Sequence, residues 1–544
     1  MTAPELRRHA PIRNWKSLLT EAYSSSAAQY WSRLLLWAAL LVYSTLLIKH
    51  HFQLILEVLP LDIFEPAMLL ITGLIMDGGN PYRAEYLPIY TDVYPALYNV
   101  LVAPLAGVFG NTLVLHRAVN AGMLLISCGL CYRSLRHLGV DKLYALCSAA
   151  MLYAALLHYS TPVASVNGLG HCLYMACLLV PLAAGFSHRS LIFSAVFGVL
   201  AFFGKPYFIA APAFLAMYLL WRVSLLSAAA YALLVLVLLG ASVGATLLIA
   251  PYYLDTTIFA MHGATAFTRD ENHLIKQLLD FLAVYASLIL AILLAGTAAL
   301  RVPAAKGAIQ VRGLEYFTFM LLGGTLAVGL VLGYNRGNYL TYLFQLMSPF
   351  LLLAAFLLVH RSQRTLPLLL PLLFMGFWQT WSLLPTHTSP ERTSWEVLEE
   401  KIDQHEHIFA NEIVAHLLNA KGKKLYQGAL SQHFHFSVFK PVLLRREESA
   451  RSVRSISARY IRETNEMIGR KFFDLVLLRP GKWGIIGASP TGWPFEKGHG
   501  QAEFLKNYEK VDTLQLPYPE RRGGGMRKID LWKPRLESDG HKFK

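Results

Sequence analysis

Residues 61–82 read LDIFEPAMLLITGLIMDGGNPY, a stretch in which two carboxylates, Asp62 and Glu65, open an apolar segment that ends in a Gly-Asn-Pro turn. The apolar segment 34–59 precedes it and is long enough to cross a bilayer, since a spanning helix needs about twenty mostly apolar residues. A carboxylate directly after such a span lies at the membrane surface, where an ionisable group is costly unless it serves a function. The stretch therefore marks a candidate reaction site at a membrane face.

Apolar segments dominate the rest of the chain as well. Of its 544 residues, 55% are hydrophobic and 15% are charged, whereas an ordinary soluble domain carries roughly a quarter charged residues. The apolar segments run from 34 to 384 and then stop, so residues 385–544 are predicted to form a separate soluble domain. Residues 1–33 are basic and have no cleavage site near a short apolar run, which indicates an uncleaved cytoplasmic N-terminus.

Basic loops set the predicted orientation, because short loops rich in Lys and Arg lie on the cytoplasmic side of a membrane. Residues 60–116 then form a large first external loop with apolar helices at 66–76 and 95–109 that lie at the interface. A single long broken helix over 190–220 is an alternative that would invert everything downstream. Under the first interpretation the chain has about eleven spans, at 34–59, 117–133, 143–160, 170–186, 190–204, 207–220, 227–250, 281–300, 316–333, 340–359 and 366–384.

The soluble domain is predicted to be a small α/β unit on the external side. Residues 397–420 have a helical pattern, and three short apolar runs flanked by Gly and Pro indicate strands at 475–478, 511–516 and 529–532. Its His433-Phe434-His435 and 521–525 segments have neither zinc-ligand spacing nor a phosphate-loop lysine. The five cysteines all lie in or beside apolar segments, so no metal site or disulfide framework is predicted.

The net charge of +15 arises largely in short loops and in the soluble domain. Membrane orientation explains the loop part, so nucleic acid is not a predicted partner. The cytoplasmic loops contain no Gly-rich nucleotide fingerprint, and no cofactor is predicted.

Asp62 and Glu65, the two carboxylates ahead of the apolar segment, are candidate catalytic residues. Either side chain is able to accept the proton of an attacking hydroxyl as a general base. The structural alternative is that Asp62 or Glu65 caps the helix beginning at Pro66, and the spacing is equally compatible with that role.

Tyrosines follow the Gly-Asn-Pro turn at close intervals. Their flat faces and hydroxyl tips suit a sugar site, so Asn80, Tyr82 and Tyr94 are candidate sugar- or acceptor-binding residues. The structural alternative is an aromatic belt at the membrane interface.

The order of these features resembles the GT-C superfamily of membrane glycosyltransferases. The resemblance is to the family 87 polyprenyl-phosphate-mannose transferases and, more distantly, to protein O-mannosyltransferases and the lipid A aminoarabinose transferase. It is strongest over 60–120 and weaker to about 385. The matching features are an Asp just beyond the first span, an apolar stretch, Gly-Gly-Asn-Pro-Tyr at 78–82, Tyr94-Pro95, and Phe109-Gly110 ahead of Arg117.

The resemblance implies an inverting transfer at the outer membrane face from a polyprenyl-phosphate sugar to a glycan, glycolipid or protein acceptor. It places the family's loop-opening carboxylate on Asp62, with Glu65 as a fallback or partner. Several relatives have two acidic residues at adjacent positions there, and this chain does not, which leaves the base assignment open between the two. A bacterial inner membrane is the expected location.

A departing polyprenyl phosphate needs cationic groups at the same surface. Lys205 lies in Gly204-Lys205-Pro206-Tyr207 at an external break between helices, and similar lysines in the superfamily contact the donor phosphate. Snorkelling to lipid head groups is the structural alternative. The other candidates for phosphate binding are Arg336, Arg117 and His262, and the neighbours of Arg336 add Asn338 and Tyr339 to the sugar- or acceptor-binding set.

Two other functions are alternatives to a monosaccharide transferase. A polymerase or ligase that passes a whole lipid-linked oligosaccharide would carry its large, arginine-rich loop late among the spans, whereas here the large loop comes first. A transporter would show internal repeats and broken helices in matching halves. No such repeat is evident, although the polar segments 49–51 and 204–206 keep the transporter in consideration.

Overall fold

A computed structural model gives the architecture of the protein. The elements and contacts below concern the residues that it describes, which are 26–57, 59–61, 65–159, 164–259, 272–279, 282–283, 286, 316, 374, 377–378, 381, 393–410, 414–427, 447–478, 480, 499–518 and 525–536.

The described part of the chain up to 259 is helical. Three of its helices are long and apolar enough to cross a membrane, namely Ser26–Leu56, Leu113–His137 and Leu225–Ile249, and shorter apolar helices lie between them. The eleven-span count stays a prediction, since most of 281–384 lies outside the described residues. The helices are α1 Ser26–Leu56, α2 Glu65–Met76, α3 Leu97–Phe109, α4 Leu113–His137, α5 Lys142–Tyr159, α6 Asn167–Ala183, α7 His188–Gly204, α8 Ala210–Arg222 and α9 Leu225–Ile249.

The chain reverses direction between α7 and α8. A Cβ built on Gly198 in α7 would lie 2.8 Å from the Pro212 Cγ in α8, so these residues face each other. Fourteen residues of continuous helix would instead separate them by about 21 Å. The two segments are therefore separate helices, and the alternative of one long broken helix is wrong.

Glycines allow α6 and α7 to pack closely. A Cβ on Gly204 would lie 2.9 Å from the Gly170 Cα, and a Cβ on Gly170 would lie 2.3 Å from the Phe208 ring. Only glycine permits backbones to approach this closely. The contact fixes the last turn of α7 against the first turn of α6, which positions the residue that follows, Lys205.

Two sets of contacts distinguish the ends of the helix bundle. At one end the Arg33 side chain, in α1, donates to the Asp141 carboxylate at 2.7 Å, beside the basic α4–α5 connection. At the other end Arg117, near the start of α4, reaches the last residues of α1. Lys205 belongs to this second end because the residue before it packs on Gly170 near the start of α6. We call it the Lys205 end.

The two apolar stretches of the first loop are helices, as predicted. Helix α3 keeps a strongly exposed apolar side that includes Val108 and Phe109, which suits a membrane interface. Helix α2 differs from the prediction, because Pro66 to Leu70 are all buried. Other parts of the protein cover α2, and the C-terminal domain supplies part of that cover.

The C-terminal domain is built on a four-stranded mixed sheet in the order β1-β2-β4-β3, with β1 parallel to β2 and the other pairs antiparallel. The three predicted strands are confirmed. The single helix predicted over 397–420 is instead two helices with an edge strand between them. The elements are α10 Thr393–Asp403, β1 Ile408–Ala410, α11 Ala415–Ala420, α12 Glu447–Gly469, β2 Leu475–Leu478, α13 His499–Asn507, β3 Tyr508–Tyr518 and β4 Gly525–Pro534.

One hydrophobic core joins the C-terminal domain to the first loop. It contains residues of α2 and α3, such as Met68 and Val102, together with Trp395, Leu477 and Ile529 of the C-terminal domain. We call this the shared core. The C-terminal domain is therefore an integral part of the structure around the first loop.

Helix α12 adds a second contact between the C-terminal domain and the helical part. Its buried residues Val453 and Ile456 pack against Leu87 of the first loop. The Ser452 Oγ lies 2.5 Å from the Tyr252 hydroxyl oxygen, just beyond α9. The domain thus holds both the first loop and the segment that follows α9.

Gly73→Leu is expected to destabilise the docking of the C-terminal domain on α2. A Cβ at Gly73 would lie 3.4 Å from Asn111 Nδ2 and 3.6 Å from Asn419 Nδ2, so a methyl group fits and a larger side chain pushes α11 away. We expect a loss of about 1–3 kcal/mol, with Gly73→Ala close to wild type. Thermal unfolding and protease release of the C-terminal domain measure the effect.

Gly107→Leu is the matched control, since a Cβ at Gly107 in α3 meets nothing within 4 Å in the described structure. Equal resistance to protease in the Gly73→Leu and Gly107→Leu variants would show that α2 and α11 do not form a required contact.

Candidate functional site

Lys205 lies at the reversal between α7 and α8. Its backbone is extended, with φ −149° and ψ 134°, and Pro206 then begins a short helical turn, Pro206–Ile209. The side chain is buried, and its Nζ lies 4.7 Å from the centroid of the Tyr94 ring and 5.8 Å from that of Tyr207. Aromatic faces attract an ammonium through the ring quadrupole. The predicted phosphate ligand is thus a buried cation on two tyrosine rings, and we call these three residues the Lys205 platform.

Tyr94 is fixed through both of its main-chain polar groups. Its N–H donates to Asp92 Oδ1 at 2.9 Å, and its C=O accepts from the Tyr82 hydroxyl at 2.9 Å. Asp92 Oδ2 accepts from Asn99 Nδ2 at 3.2 Å, and Asn99 Oδ1 accepts from the Thr72 hydroxyl at 3.0 Å. A buried hydrogen-bond chain therefore runs from α2 through α3 to the main chain of Tyr94.

Asp92 was not among the residues predicted for the site. It is fully buried in the first loop, and loss of hydration raises the pKa of its carboxyl to about 7, against the opposing effect of the Tyr94 N–H. The sequence signal that points to it is a lone acidic residue inside the tyrosine-rich segment 86–98. Such a carboxyl changes its charge near neutral pH.

Asn80 and Tyr82 connect the first loop to the end of α9. Asn80 Nδ2 donates to the Ile249 carbonyl at 2.9 Å, and Asn80 Oδ1 accepts from the Tyr82 N–H at 3.0 Å. The Tyr82 ring packs edge-on against Tyr253 at 5.3 Å between centroids, and the Tyr82 carbonyl accepts from the Tyr252 N–H at 3.1 Å. These contacts join the part of the first loop that carries the Lys205 platform to the end of α9. The predicted sugar or acceptor contacts of Asn80 and Tyr82 stay predictions.

Glu65 and Arg117 form a fully buried, bidentate ion pair. Arg117 Nε donates to Glu65 Oε1 at 2.8 Å, and an Arg117 Nη donates to Oε2 at 2.7 Å. Glu65 also accepts from the Leu61 N–H at 2.5 Å and from the Ala164 N–H at 2.7 Å. The remaining Arg117 donors go to main-chain carbonyls at the end of α1, those of Leu54, Glu57 and Leu59.

This ion pair bears on two of the predicted roles, the catalytic role of Glu65 and the phosphate-binding role of Arg117, which stay predictions. An ionised carboxylate has about four acceptor positions, and those of Glu65 are filled by two guanidinium and two main-chain donors. Both charges are compensated without a substrate. The geometry favours a structural role for Glu65 and Arg117 over the catalytic and phosphate-binding roles predicted from the sequence. It also differs from helix capping, since Glu65 accepts from residues that lie outside the turn it begins.

The other predicted site residues lie outside the described part of the chain, and their predicted roles stay predictions: Asp62, His262, Arg336, Asn338 and Tyr339. Within the described part, no group of three or more His, Cys, Asp or Glu side chains is placed to hold a metal ion. The structure therefore brings Lys205, Tyr94, Tyr82 and Asn80 together at one end of the bundle. Glu65 and Arg117 form a buried ion pair at the same end.

Comparison with known proteins gives a match in fold. No protein-family model matches the sequence, and no curated protein matches it. The structure of ArnT from Cupriavidus metallidurans bound to undecaprenyl phosphate is 11% identical, with a TM-score of 0.55 over 91% of this chain and 98% of ArnT. The same protein in the apo state gives 11% identity, a TM-score of 0.54 and the same coverage.

A third similar structure is the oligosaccharyltransferase of Archaeoglobus fulgidus tethered to an acceptor peptide with the NVT sequon. It is 12% identical, with a TM-score of 0.45 over 91% of this chain and 74% of that one. The match to the two ArnT structures, at 11% identity each, shows a fold and leaves substrates open. The helical part, the first loop and the C-terminal domain together have the fold of the two ArnT structures.

Proposed function

We propose that this protein is a glycosyltransferase that moves a sugar from a polyprenyl-phosphate carrier to an acceptor. The observation that carries the proposal is the Lys205 platform, a buried cation at one end of a fold shared with ArnT over nearly the whole of both chains. The ArnT structure holds undecaprenyl phosphate. The negative charge of a lipid phosphate is attracted by a buried ammonium group.

Lys205 is proposed to bind the phosphate of the donor and of the departing carrier. An ammonium removed from water interacts with an anion more strongly than an exposed one, because the local dielectric constant is lower. Tyr94 and Tyr207 orient the cation through their ring faces, which leave its charge intact. The platform is thereby ready for the negative charge that grows on the phosphate as the sugar leaves.

Asp62 is proposed as the general base. Of the two carboxylates that the sequence analysis proposes as the base, Glu65 is occupied by the ion pair with Arg117, which leaves Asp62 for this role. Its carboxylate takes the proton of the acceptor hydroxyl, and the oxygen attacks the anomeric carbon on the face opposite the phosphate. The bond from that carbon to the phosphate oxygen breaks, and the polyprenyl phosphate leaves with the electron pair and its charge stabilised by Lys205.

The sequence suggests further site residues, the transferred sugar and the acceptor. Arg336 and His262 would add donors to the phosphate, and Asn80, Tyr82 and Tyr94, with Asn338 and Tyr339, would contact the sugar or acceptor. The transferred unit would be a single hexose or pentose, with mannose suggested by the resemblance to family 87. The acceptor would be a glycan, lipid or protein at the outer face of a bacterial inner membrane, where the C-terminal domain would also lie.

Transfer assays with purified protein and defined donors test this function. We expect transfer from polyprenyl-monophosphate sugars, and Asp62→Asn is expected to slow turnover while donor binding is retained. Asp77→Asn, which replaces an exposed carboxylate of the same loop, is the matched control and should transfer like wild type.

Three outcomes would change the assignment. Full activity of the Asp62→Asn protein removes Asp62 from the role of base. Transfer only of whole oligosaccharides from a diphosphate carrier indicates the polymerase or ligase function. Binding without transfer from any carrier favours the transporter.

A further inference from the structure

Two residues of the first loop, Asp92 and Tyr82, fix the position of Tyr94. Asp92 holds the Tyr94 N–H and Tyr82 holds the Tyr94 carbonyl, so the main chain of Tyr94 is fixed on both sides of its ring. That ring is the nearer of the two that support the Lys205 ammonium. A change at Asp92 is therefore transmitted to Lys205 through a single residue.

We propose that Asp92 is a positioning residue for donor phosphate, acting through Tyr94 on Lys205. The proposal rests on the proposed function, because it names the group that sets the geometry of the same phosphate site. Asp92 does not touch the donor in this scheme. Asp92 fixes the Tyr94 ring, which contacts the Lys205 ammonium. The charge of the Asp92 carboxylate also changes the net charge around Lys205.

Among the residues that the structure describes, the charged and titratable groups around Asp92 come from three segments. Tyr82 lies on its own loop, Tyr253 follows α9, and Lys205 stands over the neighbouring ring. Burial raises the pKa of the Tyr82 and Tyr253 hydroxyls above the ordinary value for tyrosine, so both hydroxyls stay neutral near pH 7. Asn99, on α3, is a neutral partner of the carboxyl. Asp92 is thus the group of this set that titrates near neutral pH.

The sign of the pH effect follows from the charges. Below a pH of about 7 the Asp92 carboxyl is protonated, and the site keeps the full positive charge of Lys205. As the pH rises through about 7 the carboxylate forms, the local net charge falls, and attraction for an anionic donor weakens. A sugar-phosphate diester keeps one negative charge over this range, so the change is assigned to the protein. We expect the donor KM to rise roughly fivefold across this pH range.

Four variants separate a positioning role from a general loss of structure. Asp92→Ala is expected to raise the donor KM roughly tenfold with a much smaller change in kcat, since it removes both hydrogen-bond acceptors. Asp92→Asn keeps an acceptor for the Tyr94 N–H and stays neutral, so its KM should match wild type at low pH and lose the rise near pH 7. Tyr94→Leu removes the ring, and Asp92→Ala combined with Tyr94→Leu should be no worse than Tyr94→Leu alone.

Asp77→Asn is the control for loss of a carboxylate in the same loop and should keep the wild-type pH profile. Thermal unfolding of every variant reports folding separately. Additive effects of the Asp92 and Tyr94 substitutions, or an unchanged pH profile in Asp92→Asn, would overturn the positioning role while leaving the proposed function intact. Absence of transfer by the wild-type protein would overturn the proposed function and this inference with it.

Discussion

Lys205→Ala is expected to lower kcat/KM for a polyprenyl-phosphate sugar by about 100-fold or more. The substitution removes the buried positive charge that the donor phosphate would meet and leaves the aromatic platform without its cation. A smaller loss is expected for Lys205→Arg, because a guanidinium keeps the charge but has a different shape and hydrogen-bond geometry. Steady-state transfer rates and binding of undecaprenyl phosphate measure the two effects separately.

Lys424→Ala is the matched control for this prediction. Lys424 also stands over a tyrosine ring, with its Nζ 5.3 Å from the Tyr426 centroid, but it is exposed on the C-terminal domain. Its removal should leave transfer unchanged. If both lysine variants were equally active, the Lys205 platform would have no part in donor binding.

Arg117→Met is expected to lower the free energy of unfolding by about 3–5 kcal/mol, because it leaves the Glu65 carboxylate buried without its cation. The same change removes the donors that satisfy three main-chain carbonyls at the end of α1. Methionine keeps much of the volume, so the loss measures the polar interaction more than packing. Glu65→Leu combined with Arg117→Met should recover part of the stability, since no buried charge is then left alone.

Arg33→Met gives the control for an ion pair of the same length in a different environment. Arg33 and Asp141 are also 2.7 Å apart, yet both side chains are more than a third exposed. Solvent and salt weaken such a pair, and a loss below about 1 kcal/mol is expected. Thermal or denaturant unfolding in detergent compares the two. Similar losses of unfolding free energy in Arg33→Met and Arg117→Met would contradict a stabilising role for the buried Glu65–Arg117 ion pair.

Local sequence patterns predicted most of the described helices, three of the four strands of the C-terminal sheet and the break at Lys205. These features depend on hydrophobic periodicity and on glycine and proline, which act over a few residues. The segment 204–206 was identified because a lysine between two apolar helices is unusual. The structure confirms its location at a helix reversal and adds the tyrosine rings around it.

The parts that were missed depend on contacts between distant segments. Glu65 and Arg117 are 52 residues apart, and their spacing gives no sign that each neutralises the other. The burial of Asp92 arises from α2, α3 and the segment after α9 together, so its raised pKa has no local signature. The burial of α2 depends on residues beyond 393, and a pattern within α2 cannot show which surface will cover it.

Synthesis of the chain separates the two sides of the shared core in time. Helices α2 and α3 are complete at Phe109, whereas the strand that begins at Leu475 is made near the end. At about 5–20 residues per second, roughly 20–70 s pass between them. During that interval the C-terminal part of the shared core is missing, and the apolar residues of α2 and α3 that it will contact need another cover. A nascent chain that stops before residue 393 would keep these residues exposed.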